Sequence, residues 1–240
     1  MILLSEIFDN LAFGEFTNLA IGQSVDDSIT AAAYPKIVSA VNMGLREIYK
    51  RFLLKKKEFN LHQQSGVTIY YLRTDQLGDV GNMDDETYIA EAAVDPFGED
   101  FIRILEAHDE LGDVVHINNP KYPDTGIFTQ TYDTIKMANH DPLAIITITY
   151  QASYPKIIIN ESFDPALVKL YIPDFIENAL YTFIASRLFK GKTGKAAEGE
   201  NRPVNTYLYQ FEAACAKLDE LGLAEETEDN YNTFQDRGWQ

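Results

Sequence analysis

Apolar residues in this chain repeat with a helical period at both ends and with a strand period in the middle. No single regular element satisfies both periods, so the fold must combine helices with sheets. Near the start, Leu3, Leu4, Ile7, Phe8 and Leu11 have helical spacing, with Gly14 as the expected stop. A longer helix is expected after Asp26-Asp27-Ser28, any of which could cap it. Its stripe is Ile37, Val38, Val41, Leu45, Ile48, Tyr49 and Phe52, with Pro35 in the first turn or at a kink.

The middle reads as strands. Phe59 to His62 and Val67 to Leu72 flank Gln63-Gln64-Ser65-Gly66, a pattern that suits a β-hairpin. Ile102, Ile104, Val114, Val115 and Ile117 continue it, with Leu111-Gly112-Asp113 as a turn. The run Ala144-Ile145-Ile146-Thr147-Ile148-Thr149-Tyr150 is the strongest strand, because β-branched side chains crowd in a helix and fit a pleated surface. Acidic loops are expected at 74–100 and 118–126. The helical period then returns at Ile172, Phe175, Ile176, Ala179, Leu180, Phe183, Ile184 and Leu188, behind Pro173. A loop at 191–203 leads to a last helix over about 204–221, with Tyr207, Leu208, Phe211, Ala214, Cys215 and Leu218 on its apolar face and Gly222 as its end.

The expected fold class is therefore α+β: a mainly helical core of N- and C-terminal helices packed together, a central β-rich insertion and an extended C-terminal tail. The expected divisions are 1–56 for the N-terminal helices, 57–165 for the acidic β-rich insertion, 166–223 for the C-terminal helices and 224–240 for the tail. With 45% hydrophobic and 24% charged residues over 240 positions, the chain can bury a substantial core and is not disordered throughout.

Charge follows the same division. The chain holds 20 Lys and Arg against 37 Asp and Glu, a formal net charge of −17. Residues 74–165 alone carry 4 basic and 18 acidic side chains, whereas residues 1–73 carry 8 and 7. So acidic a chain repels a polyanion, which argues against free binding to nucleic acid. The N-terminus lacks the basic segment of a signal peptide, and no apolar run approaches the ~20 residues needed to span a bilayer, so no membrane contact is expected. One cysteine excludes an internal disulfide and a thiolate-clustered zinc site.

Motifs for chemistry fail on spacing. Gly191-Lys192-Thr193 lacks the phosphate loop's earlier glycine, since position 186 is Ser, and it follows a helix instead of a strand. The stretch Asp75, Asp79, Asp84-Asp85-Glu86 suggests a calcium loop, but Leu77 and Val80 occupy a ligand position and the glycine position. His62, His108, His116 and His140 show no metal-ligand spacing, and of His108-Asp109-Glu110 only His108 and Glu110 would share a strand face. No serine lies in a nucleophile elbow, and Cys215 sits on a buried stripe. No catalytic residue, metal or cofactor is expected.

Two features could meet a partner. Arg46, Lys50, Arg51, Lys55, Lys56 and Lys57 form a basic cluster. It either contacts DNA or an acidic protein, with Lys55, Lys56 and Lys57 as candidates, or is a helix's polar face and C-terminal end, where cations offset the macrodipole. The acidic tail carries Tyr231, Phe234 and Trp239 without any period, as anchors would be placed on a segment that folds against another surface.

This arrangement resembles the head–tail adaptor (connector) proteins of short-tailed bacteriophages, whose members include tail tubular protein A and the tail accessory factor next to the portal. The resemblance rests on the helix ending Gly44-Leu45-Arg46-Glu47-Ile48-Tyr49-Lys50-Arg51-Phe52, which leads into a β module. It rests also on the helix from Pro173 to Phe189, followed by a loop, a last helix and an extended segment. The resemblance implies a structural, non-enzymatic virion protein at the head–tail junction, made in the bacterial host cytoplasm. It implies a homo-oligomeric ring, usually of twelve copies, between the portal protein and the tail or nozzle proteins. Genomic DNA would pass through its channel without specific binding, and the tail, through Tyr231, Phe234 and Trp239, would anchor on the portal. The rival readings are a metal-dependent enzyme using the acidic loop 75–86 and a nucleic-acid-binding module using the basic cluster 46–57.

Overall fold

The computed structural model describes residues 1–12, 29–78, 87–91, 96–98, 100–131, 133–137, 144–188 and 206–222. It contains both helices and mixed sheets, an α+β fold, and the chain divides into two compact units. One is drawn from Met1–Phe52 and Pro155–Ala224, the other from Leu53–Tyr154. The second unit thus begins and ends upstream of the 57–165 expected from charge and pattern.

The helical unit starts with a two-residue strand, β1 (Ile2–Leu3), and helix α1 (Leu4–Ala12). Leu4, Ile7, Phe8 and Leu11 are buried on one face of α1, as their spacing requires. The Glu6 carboxylate accepts from the Leu3 N–H at 3.2 Å, which satisfies one of the donors left open at the helix start. Helix α2 (Tyr34–Arg51) follows a 3-10 turn over Ala31–Ala33, with Pro35 in its first turn, where a missing N–H costs nothing. The cap expected at 26–28 and the stop at Gly14 lie outside the described residues. Strand β10 (Lys169–Leu170), numbered in chain order, pairs antiparallel with β1.

Helices α3 (Glu177–Leu188) and α4 (Thr206–Glu220) complete the unit. Pro173 precedes a 3-10 turn, Asp174–Ile176, that runs into α3. Helices α2 and α3 meet at Gly44, where a Cβ would lie 2.8 Å from Leu180 Cδ1 and 2.9 Å from Phe183 Cδ1. Only a residue without a side chain lets the helices approach this closely. Phe183 in turn meets Phe211 of α4 edge-on, with ring centroids 5.0 Å apart. Phe211, Ala214, Cys215 and Leu218 are the buried stripe of α4, and Leu208, expected there, is instead 47% exposed. It lies on the same face as Phe211 but in the first turn of α4, where it is exposed.

Among the described residues the second unit holds eight strands: β2 (Lys56–His62), β3 (Ile69–Tyr71), β4 (Leu77–Gly78), β5 (Ile89–Glu91), β6 (Phe101–His108), β7 (Ile127–Phe128), β8 (Thr134–Met137) and β9 (Ile145–Ala152). They make a mixed five-stranded sheet in the order β4-β5-β2-β9-β6 and an antiparallel three-stranded sheet in the order β3-β8-β7. The strongest strand in the sequence, β9, is paired on both sides, by β2 and β6. The hairpin expected between 59–62 and 67–72 does not form. Strand β2 pairs with β5 and β9, and β3 pairs with β8 in the other sheet. Gly66, at φ +77°, turns the chain away instead of back. The stretch 74–100, expected as loop, contributes the short strands β4 and β5.

One core joins the two sheets, with Phe59, Leu61, Ile148 and Tyr150 from the larger and Tyr70, Ile135 and Met137 from the smaller. Tyr70 and Tyr88 cross edge-on at 5.0 Å. Their hydroxyls are satisfied: Tyr70 accepts from the Gln64 N–H at 2.9 Å, and Tyr88 donates to the Tyr71 carbonyl at 3.0 Å. Burial pushes both phenols above their ordinary pKa.

Candidate functional site

The basic cluster is divided between the two units, and in each unit one of its members is committed to internal contacts. Strand alternation in β2 turns Lys57 inward with Phe59 and Leu61, and Lys57 is only 8% exposed. Its ammonium meets Asp100 Oδ2 at 2.7 Å and donates to the Pro96 carbonyl at 2.8 Å, while Tyr150 donates to the other oxygen of Asp100 at 3.2 Å. A buried ion needs this degree of pairing. Lys57 is therefore a core residue of the β unit and not a surface for DNA or protein. Lys56 points outward and lies 3.9 Å from Glu106; Lys55 is half-buried.

Arg51 is similarly committed, within the helical unit. Its guanidinium makes two bonds to Glu212 of α4, at 2.7 and 3.0 Å, and a third to Glu47 at 3.1 Å. It also lies over the Phe211 ring, 4.9 Å from the centroid. The bond from Arg51 holds the Glu212 carboxyl below its ordinary pKa. Beside this cluster Cys215 is buried, and desolvation pushes its thiol up to about 11. Such a cysteine is no nucleophile at neutral pH.

The histidine and acidic motifs resolve into local structure. His108 Nε2 lies 3.6 Å from Glu106, two residues back on the same strand, and not against Glu110. Glu110 accepts from the Ile145 N–H at 2.7 Å, and Asp109 Oδ1 accepts from the N–H groups of Leu111 and Asp113, both at 2.9 Å. Asp109 thus shapes a turn, which is the common use of an aspartate at that position. His116 stacks on Tyr122 with centroids 3.9 Å apart, and its Nδ1 is buried with no hydrogen-bond partner among the described residues. Gly126 closes that loop. A Cβ there would lie 2.7 Å from the Tyr122 carbonyl oxygen and 2.9 Å from that of His116.

Asp75 stands in a 3-10 turn, whereas Asp79, Asp84, Asp85 and Glu86 lie outside the described residues, as do His140, the 191–203 loop, Tyr231, Phe234 and Trp239. Among the described residues no group of three or more His, Cys, Asp or Glu is placed to hold a metal ion. No helix among them is long and apolar enough to cross a membrane.

What the helical unit does present is apolar surface. Of the fifteen large hydrophobic side chains exposed among the described residues, ten belong to it, Leu167, Ile158, Tyr171 and Tyr209 each at 70% or more. Exposed apolar side chains mark a surface for another protein only where they adjoin. One part of it is a groove between α2 and the extended segment 156–159, about 620 Å³ in volume, lined by Val38, Met43, Ile157 and Ile158 and flanked by Arg46 and Lys156. Sequence pattern could flag Met43 as off the buried stripe of α2, but 156–159 carries no period and gave no signal. A comparison with known protein families and with curated proteins finds no match.

Proposed function

We propose that the chain is a structural virion protein, a head–tail adaptor that assembles into a ring of about twelve copies between portal and tail, the copy number being that of the adaptor family it resembles. In this reading the N- and C-terminal helices together form the ring body, with the β unit inserted between them. The tail or nozzle proteins lie below, and genomic DNA passes through the channel without specific binding. The C-terminal segment, with Tyr231, Phe234 and Trp239, reaches the portal. The protein carries out no catalysis, is made in the host cytoplasm and ends at the head–tail junction of the virion.

The observation that carries the reading is the exposed apolar surface of the helical unit, whose segments are close to neutral at 12 basic and 15 acidic residues. Near-neutral apolar surfaces can pack side by side without the repulsion that a −17 chain would otherwise bring to every contact. The acidic β segments are suited to solvent or to the channel, where a like-charged wall lets DNA slide. Electron microscopy of the purified protein, alone and mixed with the portal protein of the same phage, tests it. Rings in either sample support the reading; a persistent monomer without portal affinity overturns it.

A further inference from the structure

Two described surfaces of this chain are complementary in charge, and each exposes apolar side chains. The first is the groove on α2. Its outer wall, segment 156–159, is fixed by Asn42, whose side-chain amide donates to the Ile157 carbonyl at 2.9 Å and whose oxygen accepts from the Ile157 N–H at 2.9 Å. The groove is therefore preformed, and a ligand does not have to order it. Met43 is 43% exposed, Ile158 73% and Ile159 38%. Arg46 and Lys156 stand exposed at its rim and form no ion pair among the described residues.

The second surface is the tip of the β6 hairpin. His108 bridges to Val114, and Gly112, at φ +84°, turns the chain between them. Asp109 fixes this turn with its two backbone N–H bonds, and the Asp109 N–H donates to the Asp113 carbonyl at 3.0 Å. At the apex Leu111 is 87% exposed, the most exposed large apolar side chain among the described residues. Asp109, Glu110 and Asp113 flank it in sequence, with one oxygen of Glu110 accepting from the Ile145 N–H. A rigid acidic knob with one apolar anchor is what an apolar groove with a cationic rim selects, through burial of the anchor and complementary charge. Nucleic acid would use the rim cations but leave Met43, Ile158 and Ile159 unused, so the groove favours protein.

We propose that the groove receives the 109–113 tip of a second copy of this chain, with Leu111 seated against Met43 and Ile158 and the tip's carboxylates facing Arg46 and Lys156. The contact is heterologous, tip to groove, and repeats from copy to copy, so it closes into a ring when the rotation allows. It rests on the ring reading and deepens it by naming a contact between neighbours. Only the tip of the acidic unit is taken up, and the remaining acidic surface is left to solvent or channel.

Mixing two singly substituted full-length proteins, Leu111→Cys and Met43→Cys, under mild oxidation, with and without the portal protein, tests the contact, each outcome being read over both samples. Any disulfide between these two different chains is intermolecular, and both positions are exposed, so neither change disturbs folding. The expected result is a cross-linked pair that is lost when the Met43→Cys protein also carries Arg46→Glu and Lys156→Glu. Rings that form without this cross-link overturn the contact and leave the ring reading standing. The cross-link without rings overturns the ring reading and keeps the contact. Monomers with no cross-link overturn both. A Trp239→Cys protein that links to Met43→Cys, where Leu111→Cys does not, assigns the groove to the C-terminal segment and overturns the tip.

Discussion

The segments of the helical unit carry 12 basic and 15 acidic residues, whereas Leu53–Tyr154 carries 7 and 17. The helical unit also leaves ten large apolar side chains exposed among the described residues, against five in the β unit. The β unit turns a cluster of aromatic residues inward: Phe59, Phe97, Phe101 and Tyr150 meet with centroids between 5.1 and 5.8 Å, and Tyr70 crosses Tyr88. Its internal charge, Lys57 with Asp100, is enclosed by partners. The contrast separates two ways of using the same composition. One unit is strongly acidic and pairs its internal charge, and the other is nearly neutral and leaves more apolar side chains exposed among the described residues.

The largest expected effect breaks the self-sufficient unit. Lys57→Met leaves Asp100 buried without its cation, which costs about 3–5 kcal/mol. Hydrogen exchange read by peptide should show the loss in β2, β6 and β9 and leave α2 and α3 protected. Equal loss in both units would show that they do not unfold separately. The next effect is in the helical unit. Gly44→Val pushes two methyl groups into Leu180 and Phe183, where the Phe183 ring is held by Phe211 and has little room to yield. Overpacking of this kind costs about 1–3 kcal/mol, outweighing the gain in helix propensity. The same exchange experiment should place its effect in α2, α3 and α4.

A smaller effect sharpens the comparison by pH. The hydrogen bond from Arg51 holds the folded-state pKa of Glu212 below that of an ordinary glutamate carboxyl. The pair's contribution is therefore full above the ordinary value and is lost as pH falls through the lowered folded value. Glu212 is half exposed, so Glu212→Gln should cost only about 0.5–1 kcal/mol at pH 7, and nothing once the wild-type carboxyl is itself protonated. Urea midpoints of the two proteins, measured from pH 7 down to pH 3, should converge. The smallest effect is on reactivity alone. With its thiol buried and pushed up to about 11, Cys215 should react with a thiol reagent at pH 8 only when the helical unit opens. Rapid labelling of the native protein would contradict the buried placement.

Much of this was legible before any coordinates. The stripes of α1 and α2 follow from spacing alone, because a helix buries one face wherever its partner lies. Strand pairing is different. Phe59 to Leu72 looks like a hairpin locally, yet β2 and β3 are claimed by distant partners, Ile145–Ala152 and Thr134–Met137, which no short window contains. Lys57 is ambiguous in the sequence for another reason. Its period with Phe59 and Leu61 pointed inward, but a run of three lysines pointed to solvent, and only the position of Asp100, far along the chain, decides between them. The groove was invisible because Ile157 to Ile159 has no period, and its place against α2 depends on a single amide, Asn42. Leu111 read as a turn residue, and it is one; its exposure follows from the turn being a projecting tip.

The central claim, that this chain associates through the apolar surface of its helical unit, is tested most directly by the native mass of the purified protein beside its Met43→Asp, Ile158→Asp double variant, each with and without the portal protein. Wild type should appear as a multi-copy ring and the variant as a monomer with unchanged hydrogen exchange. A wild type that stays monomeric in both samples, or a variant that assembles as wild type does, would contradict it.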